Sequence, residues 1–314
     1  MALSAWLGQP GSRRTGRPQQ AEKFGGTIGR PDIPEPTKFV PVHPSLAEIV
    51  EQITDWDVPD ANVARAMAPK AFPTTTPQLI VQYRVPIRSD RHFGLAGYKH
   101  RQYGHVVTAH RTGVVTIRPS GPLGVLLVSL KPEAAARLLG DRMQEFIDEK
   151  INLSDLFITG QVSLLEEMLM EASDSAARFA RIESFLLRHL RQRQPDSAVS
   201  RAAQYLRRNP TLRVRRLAAL LDVGERHLSR SFRAMFGASP KQFARVARIE
   251  KVFAMRQAGS AWAEIAYACG FADQAHMIND FDAIVGETPQ QFFRPTALGD
   301  GPVGQLAGPD FFQR

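Results

Sequence analysis

Between residues 38 and 130 the apolar positions fall in short β-branched or aromatic runs, QLIVQYRV, GHVVTAH, GVVTIRP and GVLLVSL, each bounded by Gly or Pro. That pattern predicts strands. The stretch TAHRTGVVT predicts a hairpin whose three-residue loop, Arg111, Thr112 and Gly113, ends in the glycine such loops favour. Beyond Pro132 the apolar spacing changes to three and four, which predicts helices near 132–139, 141–149, 160–173 and 175–193. In the last of these Phe179, Ile182, Leu186 and Leu190 share a face, suited to packing on their own domain or to pairing two subunits. RQRQPDSA, 191–198, is a polar linker that marks a domain boundary, and from there to about 295 the pattern is helix after helix. Residues 1–37 and 297–314 are rich in Gly, Pro and polar side chains without periodicity, and are expected to be a flexible leader and tail.

The expected organisation is thus a leader at 1–37, a domain at 38–195 (β-rich to 130, helical from 131), a helical domain at 196–296 and a tail. The fold class is α+β: a mixed β-rich and helical N-terminal domain, then an all-α C-terminal domain with two helix-turn-helix units.

Those two units show as an internal repeat. At an offset of 49 residues His227 matches His276, Phe232 matches Phe281, Gly237 matches Gly286, Pro240 matches Pro289, and Phe243 matches Phe292. Before the turn the offset drops to 48, aligning Leu217-Ala218 with Ile265-Ala266, so the second turn is one residue longer. Each copy reads as a short helix, a turn and a longer amphipathic helix. The first unit is placed at about 214–236, a linking helix at 241–257 and the second unit at about 262–285. Leu217, Leu220 and Leu221 are expected to pack on Leu228 and Phe232, with Ile265, Ala266 and Cys269 on Met277 and Phe281 in the second copy. Asp273 is placed to cap the second long helix.

Charge separates the copies. Residues 197–256 hold 14 basic and 3 acidic side chains, whereas 257–295 hold 1 and 5. The packing leaves Glu225, Arg226, Ser229, Arg230 and Arg233 facing outward from the first long helix, and Gln274, Ala275, Ile278, Asn279 and Asp282 from the second. Arg reads guanine edges with paired hydrogen bonds, and Gln and Asn do the same for adenine. Arg213, Arg215, Arg233, Lys241 and Arg245 suit phosphate contacts, as do Arg207, Arg208 and Arg216. Asp280 and Asp282 either face phosphates and repel them, or turn to solvent or to the basic surface of the first copy.

LAALLDVGERHLSRSFRAMFGASPKQF and IAYACGFADQAHMINDFDAIVGETPQQFFR together resemble the paired helix-turn-helix of AraC/XylS-type transcriptional regulators, over roughly 197–295. The resemblance rests on Leu228, Arg230 and Phe232, on Gly237 to Pro240, on Arg248, and on Gly286 to Pro289. It implies that both long helices enter successive major-groove segments, with Arg226, Ser229, Arg230, Gln274, Ala275 and Asn279 facing bases. Members of that family usually keep Arg at the place of Asn279 and a basic residue at Asp282, so the second unit is expected to dock weakly or to add only local readout. VHPSLAEIVEQITDW and VVTIRPSGPLGVLLVSL resemble the sensor half of a subgroup, and such halves are β-sandwich or cupin-like modules that bind an effector or dimerise.

The expected partners are double-stranded DNA and, left open, a small-molecule effector, a second copy of the chain and RNA polymerase. No apolar run is long enough for a membrane, and no cofactor or catalysis is expected in what reads as a cytoplasmic regulator. An effector-independent or architectural DNA-binding protein is the alternative. His92, His100, His105 and His110 raise a metal-dependent cupin as another, but residues five apart on one strand face opposite sides, and no metal site is assigned. Cys269 is the only cysteine, which excludes the related repair methyltransferases and their several cysteines and predicts a buried apolar role.

Overall fold

The computed structural model describes residues 36–41, 43–67, 69–71, 73–91, 101–102, 106–108, 114–139, 151–191 and 197–293. Its strands are β1 (Thr37–Phe39), β2 (Val50–Val58), β3 (Lys70–Ala71), β4 (Gln78–Gln82), β5 (Arg88–Arg91), β6 (Arg101–Gln102), β7 (Val106–Thr108), β8 (Val115–Arg118), β9 (Leu123–Leu130) and β10 (Ile151–Asn152). They form a six-stranded sheet in the order β1-β2-β9-β4-β7-β10 and a four-stranded sheet in the order β3-β8-β5-β6. Every pairing is antiparallel. Short helices α1 (Pro44–Ala47), α2 (Ala61–Ala66) and α3 (Ala136–Leu139) connect strands, and α4 (Thr159–Met170) and α5 (Ser175–His189) close the domain.

The central strand β9 explains the architecture. Its eight residues are all buried, because both faces of the large sheet are covered. Leu126, Val128 and Leu130 join Ile53, Leu79, Val81 and Tyr83 in a core shared with α4 and α5. Leu123, Val125 and Leu127 point the other way, into a core with Trp56, Val58, Met67 and Ile87, against which Ile117 of the small sheet packs. The stripe of α5 serves its own domain: Phe179, Ile182 and Leu186 are buried in the first core and Leu190 packs against it.

The strand-like runs at 78, 115 and 123 are strands, but β2 was not marked by hydrophobic pattern. It carries Asp55 and Asp57 through the middle of the sheet. Asp55 is fully buried, and its carboxylate accepts from Tyr83 Oη at 2.5 Å, Ser175 Oγ at 2.7 Å and Arg178 at 2.8 Å. Arg178 also donates to Asp57 at 2.9 Å, and its guanidinium lies over the Tyr83 ring. Burial, reinforced by Asp55, pushes the Tyr83 hydroxyl far above its ordinary value, so it stays a donor. These satisfied charges fasten α5 to the sheet. Gly124 beside Tyr83 is required by space, since a Cβ there would sit 2.5 Å from the ring. The expected hairpin loop, the helix at 141–149, the four histidines, residues 1–35 of the leader and the tail lie outside the described residues, whereas Thr37, the last residue of the expected leader, begins β1.

The C-terminal region comprises α6 (Ser197–Arg208), α7 (Val214–Leu220), α8 (Glu225–Phe236), α9 (Pro240–Gln257), α10 (Trp262–Ala268), α11 (Gln274–Val285) and α12 (Pro289–Phe292). Among the described residues no helix is long and apolar enough to cross a membrane. No group of His, Cys, Asp and Glu among them could hold a metal ion.

Replacing Arg178 with Met leaves the buried Asp55 carboxylate without its counter-charge beside an apolar core, while Asp57 keeps Arg84 at 2.6 Å, and breaking a buried pair in this way typically costs about 3–5 kcal/mol. Urea unfolding of Arg178→Met is expected to show a strongly lowered midpoint. A midpoint equal to that of the parent protein would mean the network contributes nothing.

Candidate nucleic-acid interface

Each helix-turn-helix unit is built around its own aromatic core. In the first, Phe232, Phe236 and Phe243 meet at centroid distances of 4.5–5.3 Å, enclosed by Leu206, Leu217, Leu221 and Leu228. In the second, Phe253, Phe281 and Phe292 cluster with Ile265, Cys269, Met277 and Val285. Burial pushes the Cys269 thiol up to about 11, consistent with a packing role. Leu220 departs from expectation. It is 54% exposed, because Leu217, Ala218 and Leu221 already fill the inward side of a seven-residue helix.

The turns differ by one residue and share a backbone solution. Asp222 lies at φ 54 and Gly270 at φ 70, so each turn reverses through a left-handed residue. At Gly270 only glycine fits, since a Cβ would come 2.3 Å from Thr211 Cγ2. The longer second turn leaves room for Asp273, whose carboxylate accepts from the His276 N–H at 2.7 Å and caps α11. The first recognition helix begins at Gly224, without a side-chain cap. Gly237 and Gly286 end α8 and α11 in matching left-handed caps.

With Leu228 and Phe232 buried, α8 exposes Arg226, Arg230 and Arg233 and leaves Ser229 half-buried. With Met277 and Phe281 buried, α11 exposes Gln274, Ala275, Asn279 and Asp282. Arg213, Arg215, Lys241 and Arg245 are also exposed, on the start of α7 and the first half of α9. α9 has 18 residues and so is about 27 Å long. It starts with a reciprocal cap between Ser239 and Gln242 and carries Phe243 into one core and Val252 and Phe253 into the other.

Two of the expected charges have other work. Arg207, grouped by sequence with the phosphate-binding residues, is buried at 6% exposure and donates to both carboxylate oxygens of Glu51 at 3.0 and 3.1 Å. Its phase on α6 held the signal, four residues after buried Ala203 on the stripe that packs inward. Asp280, its side chain only 14% exposed, turns to the basic side of α9. It accepts from Arg245 Nε at 2.6 Å and so joins α11 to α9. Arg248 stacks over the Phe271 ring at 4.9 Å, tying α9 to the second turn.

Residues 217–295 match the family model described as a helix-turn-helix domain. The C-terminal region is an AraC-type helix-turn-helix domain. Carrying this domain, the chain is a DNA-binding transcriptional regulator. Among solved structures, the AraC-type domain and the region before it are similar to ToxT from Vibrio cholerae, with 11% identity, 72% of this chain and 92% of that chain covered, and a TM-score of 0.43. The C-terminal domain of AraT, a response regulator from Geobacillus stearothermophilus, shares 26% identity over 31% of this chain and 83% of its own, with a TM-score of 0.29. The AraC-like transcriptional activator CuxR shares 14% identity over 70% and 87%, with a TM-score of 0.24. No curated protein matches the chain.

The Arg245–Asp280 pair generates a direct test. An ion pair with one partner 44% exposed contributes only about 0–1 kcal/mol to stability, so Asp280→Asn is expected to fold normally. It frees Arg245, and one added phosphate contact steepens the fall of log K with log salt by about 0.9. A salt titration of DNA affinity with an unchanged slope would show that Arg245 stays away from phosphate.

Proposed function

We propose that the protein reads a specific operator with both recognition helices, the first supplying most of the affinity and the second local readout. The observation that carries this reading is the contrast between two like-folded units. α8 exposes Arg226, Arg230 and Arg233, whereas α11 exposes Gln274, Ala275 and Asn279 and no lysine or arginine. Guanidinium groups bind phosphates and guanine edges, and amides read adenine without adding net charge. Arg226, Ser229, Arg230, Gln274, Ala275 and Asn279 are assigned to bases. Arg213, Arg215, Arg233 and Lys241 are assigned to phosphates, with Arg245 joining them once Asp280 releases it.

The N-terminal domain is assigned a controlling role, through a small-molecule effector or a second copy of the chain. Its support is a large sheet covered on both faces, with Gln52, Gln78, Gln82 and Ser129 buried on the side that faces the second core. RNA polymerase is the partner a transcription activator would need.

A nuclease footprint on DNA upstream of the protein's own gene tests the reading. Protection of two adjacent major-groove segments is expected, and protection of one segment per chain would reduce the second unit to a packing element. Arg230→Ala is expected to lose about 1–3 kcal/mol on the preferred sequence and to relax selectivity at one base pair. An equal loss on all sequences would reassign Arg230 to a phosphate.

A further inference from the structure

The two recognition helices carry a histidine at the same place. His227 is the third residue of α8 and His276 the third of α11, and both are exposed. Each stands three residues before the side chain that lies opposite the buried stripe, Arg230 in α8 and Asn279 in α11. It is therefore about 60° around the helix from that side chain. Arg233 and Asp282 lie the same angle away on the other flank. Both histidines border the faces assigned to DNA.

Their surroundings differ in charge. α8 places Arg226, Arg230 and Arg233 around His227, so a charge on that ring adds a fourth to three. In α11, QAHMINDFDAIV, His276 is the one side chain able to carry positive charge. Of its two acids, Asp280 is paired with Arg245, and Asp282 is exposed. With a neutral imidazole the exposed charge of α11 is negative. With an imidazolium it is balanced within the helix, and a charge-assisted donor is gained.

His276 is also oriented. The Ala272 N–H, in the turn before α11, donates to its Nδ1 at 3.4 Å, and its ring stands edge-on to Phe271 at a centroid distance of 5.5 Å. Because the backbone amide is the donor, Nδ1 accepts in the neutral ring and the proton sits on Nε2. That leaves the Nε2–H for an acceptor outside the turn. Ala272 is exposed, so water replaces its bond when Nδ1 takes up a proton. The charges near the ring are Asp273, whose carboxylate accepts from the His276 N–H, Asp280 one turn on, and Arg248 of α9, which stacks on the same Phe271 ring. α10 adds Glu264 and the loop before α12 adds Glu287, while α12 itself is uncharged. The loop from α6 to α7, whose Thr211 meets Gly270, ends at Arg213.

We propose that the second unit's hold on DNA is proton-linked through His276, which donates from Nε2 to a backbone phosphate and is drawn into its charged form as it does so. The imidazole stands in, conditionally, for the cations that α11 lacks. This rests on the reading that the second unit faces DNA. Imidazole is the side chain whose charge ordinarily changes between about pH 5 and 8, so the linkage falls near neutrality. A group that is charged more readily in the complex than in the free protein takes up a proton on binding. Affinity therefore rises as pH falls, and the gain is lost as pH rises.

The test compares DNA carrying both major-groove segments with DNA carrying only the first unit's segment. His227→Gln is the background, so that α11 holds the one histidine on either recognition helix. His276→Gln is then added, since glutamine puts an amide donor where Nε2 stood and takes no charge. Unchanged circular dichroism guards against reading misfolding as lost binding. In the background, going from about pH 8 to about pH 6 is expected to tighten binding to the longer DNA about three- to tenfold and to leave the shorter DNA unchanged. The fall of log K with log salt on the longer DNA is expected to steepen by about 0.9 over the same range, one phosphate contact. His276→Gln is expected to remove both changes. A pH response that survives His276→Gln overturns the proposal. So does an affinity for the longer DNA that ignores pH while a footprint shows both segments protected, and the operator reading then stands. A footprint of one segment at both pH values refutes the operator reading itself, and the link with it.

Discussion

One helix has to satisfy two cores at once, and the arrangement of the DNA-binding domain depends on how α9 does so. Phe243 and Ala244, in its first two turns, complete the core of the first unit, and Ile249, Val252 and Phe253 complete that of the second. The switch of side falls within a single uninterrupted helix. Neither unit can shift along α9 without emptying an aromatic pocket, so their separation is a property of helix length. Side-chain contacts then hold its flanks: Arg245 to Asp280, Arg248 over Phe271, Lys251 to the Ala268 carbonyl, and Glu250 to Thr74 and Thr75.

The loss of positive charge in the second copy takes on a structural sense here. Two of its acidic residues have structural partners. Asp273 caps α11, and Asp280 binds it to α9. The first copy spends its polar positions on arginines aimed outward and leaves α8 capped only by a glycine backbone. The two units thus differ in charge, with arginines exposed on α8 and acidic residues holding α11. A recognition helix with little charge of its own gains from being held in place, because weak base contacts need an orientation already set before DNA arrives.

The repeat was legible because its signal is steric. Buried phenylalanines, the left-handed turn residue and the Ser-Pro or Thr-Pro helix starts recur at fixed offsets wherever the same packing recurs, and the helix bounds follow from them. Burial along β9 was legible for a similar reason, as an unbroken apolar run. Strand β2 was not, since QITDWD offers two carboxylates in the middle of a core strand, and their partners Tyr83, Ser175 and Arg178 lie far along the chain. Leu220 failed in the opposite sense. An apolar residue at helical spacing was assigned inward although a two-turn helix had no inward place left for it.

Residue types and periods alone settled the fold class, the paired helix-turn-helix units and the outward faces of α8 and α11, because those depend on contacts between neighbours three or four positions apart. The tertiary structure decided which charges remain free for DNA. Arg207 and Arg230 both sit close to apolar positions in a basic region, the first directly after Leu206 and the second between Leu228 and Phe232. The first is buried against Glu51, 156 positions away, and the second is exposed. A charge's role follows from whether an opposite charge meets it across the fold, and local pattern carries no record of that meeting.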